Sequence, residues 1–123
     1  MTGLGIDLIE IERIEKSITQ YGNHFTDKIF TQNEILYCKS KANPYHHFAA
    51  RFAAKEAFAK AFGTGIGAHL GWHDIEVVRE FTGKPVILMS RRIHHQVDPS
   101  KVLLSISHTH LYAVAAVHIF PQP

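Results

Sequence analysis

The chain has 123 residues, 46% hydrophobic and 20% charged, with a formal net charge of +2 when histidines are neutral. That length suits one domain spanning 1–123, and no run approaches the roughly 20 apolar residues of a membrane helix. The balance is mildly basic without the concentrated basic stripe of a nucleic-acid binder. A single cysteine, Cys38, excludes an intrachain disulfide framework, and no basic-then-apolar leader opens the sequence, so the expectation is a cytoplasmic protein with neither membrane nor nucleic acid as partner.

Leu4-Gly5-Ile6-Asp7-Leu8-Ile9 is an apolar run with one acid in it, and its length and β-branching predict a strand over Gly3–Ile9. Aspartate is depleted in strands and rarely buried without a partner. Two readings of Asp7 stand open: an edge strand with the acid facing water, or a carboxylate aimed at a hard cation. A helix is predicted over Ile11–Tyr21, ended by Gly22-Asn23. Thr31-x-x-Glu34 is a capping-box pattern that opens a short helix running to about Cys38.

Asn43-Pro44 begins a long central helix that Gly63 closes. Its interior is almost wholly Phe and Ala, and Phe48, Phe52, Lys55, Ala59 and Phe62 fall on one stripe of the helical wheel. Lys55 therefore sits inside the apolar face, flanked by Arg51 and Phe58, with Glu56 and Lys60 as an i, i+4 pair at its edge. Charges there are costly unless paired. A solvated helix face with a snorkelling Lys55 is one reading. The other joins Glu56 to Asp7 as two carboxylates for Mg²⁺, which takes one or two protein carboxylates plus water and substrate phosphate oxygens. Lys55, Lys60 and Arg51 then supply positive charge for the phosphates.

Gly63-Thr64-Gly65-Ile66-Gly67 reads either as a helix C-cap with a flexible loop or as a phosphate cradle, and it lacks the pattern of a nucleotide-binding P-loop. Strands are predicted over Trp72–Phe81 and Val86–Met89 around a turn at Thr82-Gly83-Lys84-Pro85. A short helix over Ser90–Gln96 and a hairpin of Val102–Ser107 and Tyr112–Ile119 follow. Helices early and strands late make the fold α+β, a small antiparallel sheet packed on the long central helix. The ten histidines have no cysteine companions and no His-x-x-x-His pair on a clear helix, which disfavours a zinc site. In Ser105-Ile106-Ser107-His108 the serines share a strand face, an arrangement unlike a hydrolase triad. His108 is open to a structural role or to a hydrogen bond with a phosphate or base.

Taken in order, Gly5-Ile6-Asp7, Arg13, Phe30-Thr31-x-x-Glu34, Arg51-Phe52-Ala53-Ala54-Lys55-Glu56-Ala57-x-x-Lys60-Ala61, Gly83-Lys84-Pro85 and Ser105-Ile106-Ser107-His108 resemble the 4′-phosphopantetheinyl transferases of the short bacterial type, the holo-(acyl carrier protein) synthases. The resemblance covers nearly the whole chain, and the central motif is its most specific part. It implies that family's α+β fold and a homotrimer with active sites between subunits. The implied reaction moves phosphopantetheine from coenzyme A to a serine of apo acyl carrier protein, releasing adenosine 3′,5′-bisphosphate, a step of fatty acid biosynthesis. By this likeness Asp7 and Glu56 match the Mg²⁺ ligands and Lys60 the lysine near the pyrophosphate. Arg51, Lys55, Gly63, Gly65, Gly83, Pro85 and His108 match positions near coenzyme A, and Arg13 a docking arginine for the carrier. Glu56 and a metal-bound water both stand open as proton acceptor.

One departure is visible. Carrier proteins are acidic, yet the first helix places Glu12 and Glu15 beside Arg13 and Lys16, with Glu10 just before it, which moves the expected docking contacts toward Lys39, Lys41 or the histidines. A Mg²⁺-dependent nucleotide phosphohydrolase and a non-catalytic nucleotide-binding trimer share the same acids and amines and are the competing readings.

Overall fold

The computed structural model describes residues 2–121. Strand β1 (Gly3–Glu10) runs directly into helix α1 (Ile11–Tyr21), and the junction is tied down by the Ile11 N–H donating to Leu111 O at 2.9 Å. A second helix, α2 (Asn23–Ile29), starts at once and is missing from the sequence reading. It lacks a side-chain cap; instead the Gly22 carbonyl accepts from Phe25 and Thr26 N–H. Helix α3 (Gln32–Lys39) carries both halves of the expected capping box.

Helix α4 (Pro44–Phe62) starts on proline and stops at Gly63, whose φ of 101° is the left-handed conformation that glycine adopts without penalty. The expected single apolar stripe is corrected here: α4 is buried nearly all round. A sheet covers one side, and α1, α3 and the strands described next cover the others. The many alanines let these neighbours approach closely, while Phe52 is only half-buried and lies against Trp72, ring centroids 5.3 Å apart.

The antiparallel strands form two sheets. Strand β2 (Ile75–Arg79) pairs with β3 (Pro85–Met89), while β1, β5 (Tyr112–Ile119) and β4 (Val102–His108) form a three-stranded sheet in the order β1-β5-β4. Between the sheets lies α5 (Arg91–His94), shorter than expected. The strand expected from Trp72 begins later, because Trp72–Asp74 makes a 3-10 turn. Asp74 locks that turn: its carboxylate accepts from Gly71 N–H at 2.7 Å, from the Ser90 hydroxyl at 2.6 Å, and from Arg92.

Alternation along β1 decides where the site can be. Gly3, Gly5, Asp7 and Ile9 point toward α4, whereas Leu4, Ile6 and Leu8 point away and are exposed. A Cβ on Gly5 would lie 1.9 Å from the Ala57 carbonyl oxygen, and one on Gly3 would lie 1.8 Å from that of Ala61. The strand thus rests on the helix backbone, where only glycine fits.

Candidate functional site

This close approach carries Asp7 to the last turns of α4. The Lys60 ammonium donates to Asp7 Oδ1 at 3.2 Å and to the Ile6 carbonyl at 2.9 Å. Asp7 is therefore on an edge strand, as one reading had it, but its carboxylate faces the helix rather than open water. Glu56 stands one turn before Lys60. Burial pushes its carboxyl pKa up, the neighbouring Asp7 charge pushes it further, and Lys60 pulls it down. Asp7, Glu56 and Lys60 thus form one electrostatic group. Lys60 pairs across to the strand rather than along the helix: among the described residues, no ion pair joins it to Glu56.

The donor set suits a hard divalent cation. Two carboxylates lie close enough for the charge of one to act on the other, with a half-exposed amine beside Asp7, and an oxygen-only pair leaves the remaining positions of an octahedral ion to water and phosphate. Among the described residues no cluster of three or more His, Cys, Asp or Glu is placed to hold a metal.

A second group lies on the other side of α4. Residues 51 and 60 are nine positions apart, about 14 Å along the axis and half a turn around it. Arg51 is buried over the Tyr37 ring, 4.1 Å from its centroid, and its Nε has no hydrogen-bond partner. Arg79 donates to the Tyr37 hydroxyl at 3.1 Å and to Gly83 O at 2.8 Å, which joins the β2–β3 turn to this group. Pro85 opens β3 beside it, opposite Arg79. Burial pushes the Tyr37 phenol up, but Arg79, Arg51 and Lys41 outweigh it and the net shift is down. His108, at the end of β4, adjoins His46 and His47, with ring centroids 5.5 Å and 6.3 Å away. Burial first, then Arg51, pushes the His47 imidazole down to about 4, so it is neutral at physiological pH.

Lys55 has surroundings that differ from the expected open phosphate site. Its ammonium is fully buried and bonded to Glu34, Ile29 O and Trp72 O. Its charge is answered inside the fold, and burial pulls its pKa down against Glu34. Gly63 and Gly65 follow α4, both donating to Ala59 O. Arg13 is exposed on α1, away from the buried Ile11 and Ile14. Sequence reasoning missed Glu34 as a buried partner and Tyr37 and Arg79 as neighbours of Arg51; the capping box was the only local signal for Glu34.

A family model described as the 4′-phosphopantetheinyl transferase superfamily matches residues 3–117. The holo-(acyl-carrier-protein) synthase of Chlamydia trachomatis serovar D is 51% identical over 115 residues, covering 94% of this chain and 96% of the relative. That of Protochlamydia amoebophila is 45% identical over 113 residues, covering 92% and 93%. Among solved structures, the holo-(acyl-carrier-protein) synthase of Neisseria meningitidis superposes with a TM-score of 0.88 at 31% identity, over 98% of this chain and all of that one (100%). The Helicobacter pylori synthase in complex with coenzyme A superposes with a TM-score of 0.85 at 32% identity, over 95% and 99%.

Proposed function

The chain belongs to the 4′-phosphopantetheinyl transferase superfamily, and from that premise we propose that it transfers phosphopantetheine from coenzyme A to a serine of an apo acyl carrier protein. The carrier serine oxygen forms a bond to the β-phosphorus, and the pyrophosphate P–O bond breaks to release adenosine 3′,5′-bisphosphate. The reading rests on the meeting of Asp7, Glu56 and Lys60 where β1 touches α4. A Helicobacter pylori relative is described in complex with coenzyme A.

Asp7 and Glu56 would hold Mg²⁺, which when bound neutralises charge on the diphosphate. Lys60, half in solvent and already beside Asp7, balances the charge that grows on the leaving phosphate. Glu56 or a water on the bound ion would accept the serine proton. Arg51 and the Gly63, Gly65, Gly83, Pro85 and His108 positions bind the rest of coenzyme A, with Arg13 contacting the carrier.

The Arg51 and Lys60 groups face opposite sides of α4, so one coenzyme A reaches both only across a subunit boundary. The outer face of the three-stranded sheet also exposes Leu4, Ile6, Leu8 and Leu103, an apolar patch of the kind that marks protein contacts. Both features support a homotrimer with sites between subunits, and light scattering should give three times the chain mass. No helix of the described residues is long and apolar enough to cross a membrane, and Cys38 is a free thiol; we assign the cytoplasm and fatty acid (lipid) biosynthesis.

Mass spectrometry of apo carrier protein with coenzyme A tests the function. Transfer adds about 340 Da to the carrier, and EDTA should abolish the gain. An unmodified carrier refutes the proposal; coenzyme A cleavage without any carrier would instead mark a phosphohydrolase.

A further inference from the structure

Glu34 and Lys55 lie outside the Asp7 group, yet they tie other elements of the fold to the helix that carries Glu56 and Lys60. Their ion pair is 2.7 Å long and both side chains are fully buried. The other Lys55 bonds go to Ile29 O at 2.8 Å and Trp72 O at 3.0 Å, so all three N–H groups have protein acceptors. Glu34 also accepts from Thr31 N–H at 2.8 Å and, through its second oxygen, from Val77 N–H at 2.7 Å. The end of α2, the start of α3, the middle of α4, the 3-10 turn and β2 therefore meet on one charge pair.

A buried ion pair is a poor source of stability, since apolar residues of similar volume do as well or better. What this pair does that apolar residues cannot is hold two backbone carbonyls in fixed places. One of them, Trp72 O, ends the glycine-rich segment 63–71. The start of that segment is fixed to the same helix by Gly63 and Gly65 N–H donating to Ala59 O at 3.0 Å and 3.3 Å. Ala59 is one turn beyond Lys55, so the segment is a loop clasped at both ends by α4. Without Lys55, the polar bond from α4 to the far end is lost, which leaves the Phe52–Trp72 ring contact as its tie to the helix and Asp74 and Arg92, bonded to Gly71 N–H and Ala68 O, as its ties elsewhere.

We propose that Glu34 and Lys55 are positioning residues for the transfer reaction: the pair holds segment 63–71 in the shape that receives coenzyme A. The inference rests on the transferase reading above, and it assigns Lys55 to shaping the 63–71 loop from behind. Glu34 is needed because Lys55 stays charged in the core only beside a counter-charge.

The test uses the full chain, Glu34→Gln, and Glu34→Gln combined with Lys55→Met, which removes both charges and so leaves no unpaired buried ion where the single variant fails to fold. Hydrogen exchange of the 63–71 amides should speed up by about tenfold or more in the variants, as expected for a locally released segment. The KM for coenzyme A should rise by about tenfold with kcat changed by less than about threefold, the pattern of lost binding geometry. A wild type that transfers, with variants whose loop exchange and KM match it while only the melting temperature drops, overturns this inference alone. A wild type that transfers nothing overturns the functional reading itself.

Discussion

Gly5→Ala tests how the site is built, because it perturbs geometry without touching any charged group. The added Cβ would fall 1.9 Å from Ala57 O, a backbone atom inside a buried helix, while real Cβ contacts do not fall below 3.0 Å. Helix α4 is packed on every side, so β1 must retreat, by about 1 Å. Overpacking of this kind costs about 1–3 kcal/mol, a fall in melting temperature of about 4–12 °C for a chain of this size. Asp7, two residues along the same strand, moves with it, away from Glu56 and Lys60. A misplacement of about 1 Å in a catalytic group can cost about 100-fold in rate, so kcat/KM in the carrier mass-shift assay should fall by that order while circular dichroism stays native. Gly22→Ala is the control: its φ of 56° makes alanine unfavourable, but nothing lies within 4 Å of the new Cβ. It should cost about 1 kcal/mol of stability and leave turnover per folded molecule unchanged. If Gly5→Ala keeps wild-type melting and activity, the strand does not rest on the helix and the reasoning fails.

Lys60→Met removes the amine beside Asp7; because Lys60 is half-exposed, stability should change by less than about 1 kcal/mol while kcat falls by about 100-fold or more, and an unaltered kcat would exclude Lys60 from the chemistry. The His47 imidazole, pushed down to about 4 by burial and Arg51, stays neutral in the fold while the unfolded chain protonates near pH 6.5. Stability should therefore fall as pH drops from about 6.5 to 4 and level off below; His47→Phe should remove that slope, and parallel loss in both proteins would refute the assignment. Burial pushes the Cys38 thiol up to about 12, so a thiol reagent at pH 8 should label the chain only on unfolding, and rapid native labelling would contradict the packing.

Local chemistry made much of the fold legible. The Thr31–Glu34 box, Pro44 at the start of α4 and Gly63 at its end are signals carried within a few residues, and each marks an observed boundary. Helix α2 was hidden because its start is capped by the Gly22 carbonyl, which leaves no trace in side-chain type. The turn at Trp72–Asp74 was read as strand because its lock, Asp74 with Ser90 and Arg92, reaches sixteen residues and more along the chain. At the site, Asp7 and Glu56 stood out as acids in apolar runs, and the approach that lets the Asp7 charge act on Glu56 depends on Gly3 and Gly5 allowing β1 onto α4. The partner of Lys55 was invisible: a lysine in an apolar face announces a need for a counter-charge but not its position. Glu34 had already been explained by its capping role.

The central claim is that Asp7 and Glu56 together hold one divalent ion against the diphosphate of coenzyme A. Calorimetric titration of Mg²⁺ into the coenzyme A-saturated protein measures it directly, with Asp7→Asn, Glu56→Gln and the double variant alongside. The account predicts one Mg²⁺ per chain, weakened by about tenfold or more in each single variant. The double variant should bind no more weakly than non-additive partners of one site allow. Mg²⁺ affinity unchanged by either substitution would contradict it.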